Sequence, residues 1–263
     1  MEIIGYFASI LVGITLGLIG GGGSTLAVPL LVYLFAVDAV MATTYSLFIV
    51  GSSSLVGSYF YFTKKLVNLR TAIVFGVPSI FAIYITRVYI LPAIPDQILQ
   101  IKSFIVTKGM FLMLLFAFLM LISAYGMLRK TKQQEEEEVS HSYNYPLVLI
   151  QGILVGVLTG LVGAGGGFLI VPALVHFMNM PMKKAIGTSL VIIAINSLSG
   201  FAFSLSQFTM QWSLILTITV IAIVGILIGS WIAQKIDGKK LKPAFGWFIV
   251  LMGIYIILKE TLF

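Results

Sequence analysis

The chain has 263 residues, 59% of them hydrophobic and 10% charged, with a mean hydropathy of +1.09 and a formal net charge of +7. A soluble domain averages about 25% charged residues, so this chain has too few to cover a wet surface and a soluble fold is excluded. Cysteine is absent, which removes disulfides, cysteine-ligated metals and thiol chemistry; the positive charge is the Lys and Arg bias of cytoplasmic membrane-protein loops, not a nucleic-acid surface.

The N-terminus, MEIIGYFASI, has no basic n-region and no small-residue cleavage site, so no cleaved signal peptide is expected. The first apolar piece runs over 3–19 and meets the segment GLIGGGGSTLAVPLL at 17–31, where Gly20, Gly21, Gly22 and Gly23 follow one another. Each glycine costs about 1 kcal/mol in a helix interior relative to alanine, so the run predicts a break. A second short piece follows over 24–37, and then three long ones over 39–62, 69–91 and 103–128, each past the roughly 18 residues that mark a membrane span. The polar stretch RKTKQQEEEEVSHSYNY over 129–145 is a linker outside lipid, and its run Glu135 to Glu138 is a solvated loop. The pattern then starts again, with short pieces over 147–162 and 168–180 and long ones over 183–206, 211–234 and 243–260.

Shifted by 143 residues, the sequence matches itself without a gap. GLIGGGGSTLAVPLLV recurs as GLVGAGGGFLIVPALV from Gly160, and residues 10–57 share 21 identities with 153–200 over 48 positions. Chance likeness between greasy helices does not hold the glycines and the pair Pro29/Pro172 in register, so the chain is an internal duplication. The expected fold is an all-α polytopic membrane protein. Each half, 1–128 and 146–263, is a short Gly-broken helical hairpin followed by three long transmembrane helices. At about 1.5 Å per residue the second hairpin arms reach only about 20 Å, short of a hydrocarbon core of about 30 Å.

Basic residues cluster after the third, fifth, seventh and ninth pieces, at Lys64, Lys65 and Arg70, at Arg129, Lys130 and Lys132, at Lys183 and Lys184, and at Lys235, Lys239, Lys240 and Lys242. Placing all four clusters in the cytoplasm satisfies the positive-inside rule with one threading. In it the N-terminus lies outside, the linker is cytoplasmic, and the two halves insert upside down relative to each other. Two inverted halves with matching broken segments are a signature of secondary transporters, whose substrates bind at the breaks.

A helix restarting at Ser24 or Phe168 offers unpaired N–H groups and the positive end of its dipole, which favours an anion. The candidate substrate-binding residues are therefore Gly20 to Gly23, Ser24 and Thr25 at the first break, and Gly163, Gly165, Gly166 and Gly167 at the second. The helix after each hairpin adds small polar side chains, among them Thr43 and Thr44. Ser46, Ser53 and Ser54 share one helix face by spacing, as do Ser189, Asn196 and Ser197. Of these, Ser46, Ser53, Ser189, Asn196 and Ser197 are candidate ligands, and the buried amide of Asn196 most needs a partner. The alternative for each is hydrogen bonding between helices. Arg87, near the outer end of the fourth piece, either captures an anion or snorkels to the interface. His176, at the end of a hairpin arm, reads as structural. No carboxylate falls in the middle of a span, which argues against a cation carrier and against Asp/Glu proton coupling.

These stretches, GLIGGGGSTLAVPLL, GLVGAGGGFLIVPALV and AIGTSLVIIAINSLSG, resemble the TauE/SafE family of prokaryotic membrane permeases. The resemblance implies transport, often export, of sulfur oxyanions such as sulfite or of organosulfonates, with Gly20 to Ser24 and Pro29, and Gly163 to Gly167 and Pro172, at the matching positions. The chain is then expected to be a transporter of a small anion in a prokaryotic inner membrane, with the anion bound between the two hairpin tips, no cofactor, no metal and no nucleic-acid partner. Its other contacts are the lipid bilayer and, compatibly with the sequence, a second copy in a homodimer. An anion channel, or a carrier for a carboxylate, sulfate or thiosulfate, is the alternative within this class. An enzyme is disfavoured because neither G-x-S-x-G nor H-E-x-x-H occurs.

Overall fold

In the computed structural model, residues 2–101, 104–128, 145–178, 180–205, 207, 210–236 and 238–262 are described. The linker expected over 129–145, with Glu135 to Glu138 and His141, lies outside them except for Tyr145, and so does the side chain of His176. Helix α1 (Glu2–Ile19) leads through a single 3-10 turn at Gly21–Gly23 into α2 (Ser24–Tyr33). Then come α3 (Ala39–Thr63) and α4 (Leu69–Ile85), which runs on through a π-turn at Thr86–Ile90 into α5 (Leu91–Ala93). After α6 (Lys108–Leu128) the second half supplies α7 (Tyr145–Val162), α8 (Gly167–Phe177), α9 (Met182–Ser204), α10 (Trp212–Lys235) and α11 (Gly238–Leu262).

The helix starts follow from local chemistry. Asp38 caps α3 by accepting from the amides of Val40 (2.9 Å) and Met41 (3.2 Å), and Asn68 caps α4 by accepting from Thr71 at 3.1 Å. Among the described residues six helices are long and apolar enough to cross a membrane: Ala39–Thr63, Leu69–Ala93, Lys108–Leu128, Met182–Ser204, Trp212–Lys235 and Pro243–Thr261. Their outer faces stay apolar, with Ile73, Val77 and Phe81 exposed at four-residue spacing on α4 and Val220 and Val224 on α10. Such stripes are liabilities in water and suit a hydrocarbon solvent. The chain is a multi-pass membrane protein, helical among the described residues apart from one small two-stranded ribbon.

That ribbon corrects the expected span 103–128. Two strands, β1 (Gln97–Ile101) and β2 (Phe104–Thr107), pair antiparallel, with Gln97 opposite Thr107 and Ile101 opposite Phe104, and α6 begins only at Lys108. The run Phe104–Thr107 is apolar and β-branched, which suits a strand as well as a buried helix. The buried Lys108 ammonium donates to the carbonyls of Leu91 (2.5 Å) and Ile94 (3.1 Å), tying the start of α6 to the end of α5.

The 143-residue offset survives in three dimensions. Helices α7, α8, α9 and α10 each begin 143 residues after α1, α2, α3 and α4. The packing is exchanged between halves: α1 lies on α10, α7 on α4, and α3 on α9. Small residues let the backbones touch. A methyl on Gly13 or Gly17 would strike the backbone of α10 at Ala222 to Ser230, and one on Gly156 would strike Ser79 and Ala82 of α4. Helices α3 and α9 run antiparallel. The amide of Asn68, just past the end of α3, donates to Thr188 near the start of α9 (3.0 Å), and that of Gln211, past the end of α9, donates to Tyr45 near the start of α3 (3.1 Å).

Candidate functional site

The two glycine segments sit at the hairpin tips between α1 and α2 and between α7 and α8. At the first, Gly20 takes φ 69°, a left-handed conformation that glycine adopts without penalty, and Gly21 to Gly23 then turn directly into α2. The hydroxyls of Ser24 and Thr25 donate to the carbonyls of Gly21 and Gly22, each at 2.6 Å. These bonds close the tip on itself and commit both hydroxyl protons within the hairpin. A Cβ on Gly20 would lie 2.8 Å from Ser189 Oγ and 3.3 Å from Ile186 Cα, so α9 presses on this tip.

The second tip has a different backbone. Gly163 (φ 88°), Gly165 (φ 65°) and Gly166 (φ 65°) are all left-handed, and Gly166 offers its carbonyl to the amides of Leu169 (2.9 Å) and Ile170 (3.0 Å) at the start of α8. Gly167 and Phe168 stand where Ser24 and Thr25 stand in the first copy and bring no hydroxyl. The N–H groups of this first turn are ones the helix itself cannot satisfy. Hydroxyls come instead from around the tip. A Cβ on Gly163 would meet Thr43 Cα at 2.6 Å, one on Gly165 would meet Ser197 Oγ at 2.5 Å, and one on Gly166 would collide with Thr159 Oγ1. The tips also touch each other, because a methyl on Gly21 would overlap the Gly167 carbonyl and one on Gly167 would overlap the Gly21 backbone.

Along α3 and α9 the polar stripes repeat by pairs. Ser46 donates to Thr43 O and its counterpart Ser189 to Ile186 O, both at 2.8 Å, and Ser53 donates to Ile49 O at 2.6 Å. The counterparts Ser54 and Ser197 are both buried with no hydrogen-bond partner for Oγ. Asn196 donates from Nδ2 to Ser79 on α4 at 2.7 Å, and its Oδ1 has no partner. The structure thus brings Gly163, Gly165, Gly166, Gly167 and Ser197 to the second tip, and Gly20 and Ser189 together at the first.

Arg87 corrects the snorkelling alternative: it is completely buried. Its Nη1 donates to Thr44 Oγ1 (3.1 Å) and Thr43 Oγ1 (3.3 Å), while Nε and Nη2 have no partner. It lies in the π-turn, where the lengthened hydrogen-bond register and Pro92, which has no N–H, free a carbonyl; Gln207 Nε2 donates to that of Arg87 at 3.1 Å. A buried ion left unpaired costs several kcal/mol and each unsatisfied donor about 1–3 kcal/mol. Thr43, which holds Nη1, is the same residue that Gly163 packs on, so the guanidinium is one side chain away from the second tip. The described carboxylates are placed elsewhere. Asp38 caps α3, Asp96 is exposed, and Glu260 accepts from Tyr33 at 2.7 Å. Among the described residues no group of three or more His, Cys, Asp and Glu side chains could hold a metal ion.

Two further polar residues stand out, Thr159 against Gly166 of the second tip and Ser79 beside Asn196. Thr159 is buried with an unpartnered Oγ1 and occupies the position of Leu16 in the first copy; Ser79 corresponds to Ala222. Both signals were available as polar-for-apolar differences between the two halves.

Residues 6–256 match the family described as "Sulfite exporter TauE/SafE". The chain belongs to the TauE/SafE family. It is 30% identical over 252 residues to a probable membrane transporter protein of Xylella fastidiosa strain 9a5c, covering 94% of this chain and 91% of that one. The probable membrane transporter protein YunE of Bacillus subtilis is 26% identical over 259 residues, covering 91% of each. A probable membrane transporter protein of Methanocaldococcus jannaschii is 35% identical over 116 residues, 42% of this chain and 43% of that one. No solved structure matches the chain significantly. TauE/SafE membership and these relatives make it a membrane transporter.

Proposed function

We propose that this TauE/SafE protein exports a small sulfur-containing anion, sulfite or an organosulfonate, across a prokaryotic inner membrane by alternating access. Two inverted repeats, 1–128 and 146–263, rock about an anion held where the hairpin tips meet. The ligands on this reading are the amides and glycines of Gly20 to Gly23 and Gly163 to Gly167, with Ser46, Ser53, Ser189, Asn196, Ser197 and Arg87. The observation that carries it is the buried guanidinium of Arg87, two of its nitrogens unpaired, one threonine from the second tip. A fixed cation with no carboxylate partner among the described residues, in a low-dielectric interior, calls for an anion.

The antiparallel course of α3 and α9 supports the inverted arrangement. With the basic clusters in the cytoplasm, the linker is cytoplasmic and the N-terminus outside. An interior-negative membrane contributes about 2.3 kcal/mol per 100 mV to moving one negative charge outward, so monoanion export needs no coupled ion. The test is sulfite flux in proteoliposomes. Saturable flux that follows an imposed membrane potential is expected, and flux that demands a proton gradient while ignoring the potential refutes the uncoupled mechanism. Flux that does not saturate identifies a channel.

A further inference from the structure

The free and occupied nitrogens of Arg87 are not interchangeable. Nη1, at one corner of the guanidinium, is held by Thr43 and Thr44, and Thr43 Oγ1 in turn donates to Val40 O at 2.7 Å, which fixes its lone pairs toward the arginine. The two unpaired nitrogens, Nε and Nη2, share the opposite edge of the plane. That edge presents two parallel N–H bonds in a rigid fork, the geometry that receives two oxygens of one oxyanion. A spherical halide cannot accept both bonds along their axes. The position 143 residues on, where the duplication would place a second arginine, is Ser230. The site therefore carries one positive charge from one half of the molecule, and a dianion would leave a net negative charge buried.

We propose that the Nε/Nη2 edge of Arg87 is the docking edge for a singly charged oxyanion presenting two oxygens, so that the first half of the molecule supplies the charge the substrate must match. The proposal rests on the reading of the chain as an anion transporter and adds the class of anion and its mode of binding. Sulfonates and carboxylates fit; sulfate and halides fit poorly.

The purified full-length protein, its Arg87→Lys variant and its Arg87→Gln variant are titrated with methanesulfonate, acetate, sulfate and bromide, reading ligand-dependent thermal stabilisation. Wild type is expected to bind methanesulfonate or acetate at least about tenfold more tightly than sulfate or bromide. Arg87→Lys keeps the charge but loses the fork, so its affinity falls about tenfold and its preference over bromide disappears. Arg87→Gln loses about a hundredfold. If wild type binds a monoanion and both variants bind it equally well, the docking edge is overturned while anion transport stands. A wild-type preference for sulfate or bromide overturns it too, whether or not the variants fold, because that comparison needs only the native chain. If wild type binds none of the four, the anion-transport reading falls and takes the docking edge with it.

Discussion

The first hairpin tip turns its own hydroxyls inward, with Ser24 and Thr25 bonded to the carbonyls of Gly21 and Gly22, and the α10 residue at the matching position is Ser230. The second tip has no hydroxyl of its own, winds through three left-handed glycines, and stands beside Thr159, Ser197 and, through Thr43, Arg87. Both tips occupy equivalent places in a duplicated scaffold and press against each other at Gly21 and Gly167. The duplication repeats the broken hairpins, and a few diverged positions give the two tips different polar surroundings. The first tip commits its hydroxyl protons within the hairpin, and the second stands beside the unpartnered hydroxyls of Thr159 and Ser197.

The largest effect should come from the contact the two tips share. Gly21→Ala and Gly167→Ala each force a methyl into the opposite backbone, which cannot yield as a flexible side chain would, and should lower stability by about 3 kcal/mol in thermal denaturation. Gly76→Ala on α4 is the control, because nothing lies within 4 Å of the added methyl, and it should be neutral or stabilise by up to about 1 kcal/mol. Next, Arg87→Gln should reduce proteoliposome flux about a hundredfold, the equivalent of about 2.7 kcal/mol, whereas Ser230→Ala at the matching position changes it less than about twofold. Equal effects at the two positions would dissolve the asymmetry.

Thr159→Val tests the unpaired hydroxyl. It should raise stability by up to about 1–3 kcal/mol, since a buried unpartnered hydroxyl is removed, while substrate affinity drops about tenfold. The reciprocal Leu16→Thr buries an unpartnered hydroxyl at the first tip and should cost about 1–3 kcal/mol of stability. The smallest effect belongs to Ser24→Ala, which removes the bond to Gly21 and should cost about 1 kcal/mol in the melting transition without altering which anion binds. A changed anion preference in that variant would make the Ser24 hydroxyl a ligand as well.

Much of this was written in the chain. The apolar blocks and the glycine runs gave the spans and the hairpins, because lipid demands long apolar helices and glycine runs break them; the exchange of equivalent helices between halves came only from the packing. Only the tertiary structure decided three further things. The pairing of β1 with β2 is one, because an apolar β-branched run carries no periodicity that separates strand from buried helix. The hydroxyls of Ser24 and Thr25 looked free in sequence, and only the backbone path shows them bonded three residues back. Arg87 looked like an interfacial anchor because a position near a helix end says how far a side chain could reach, not what surrounds it. Burial and the identity of a missing partner are properties of neighbours brought from distant parts of the chain, and those neighbours, Thr43, Thr44 and Gln207, meet Arg87 only when the helices pack.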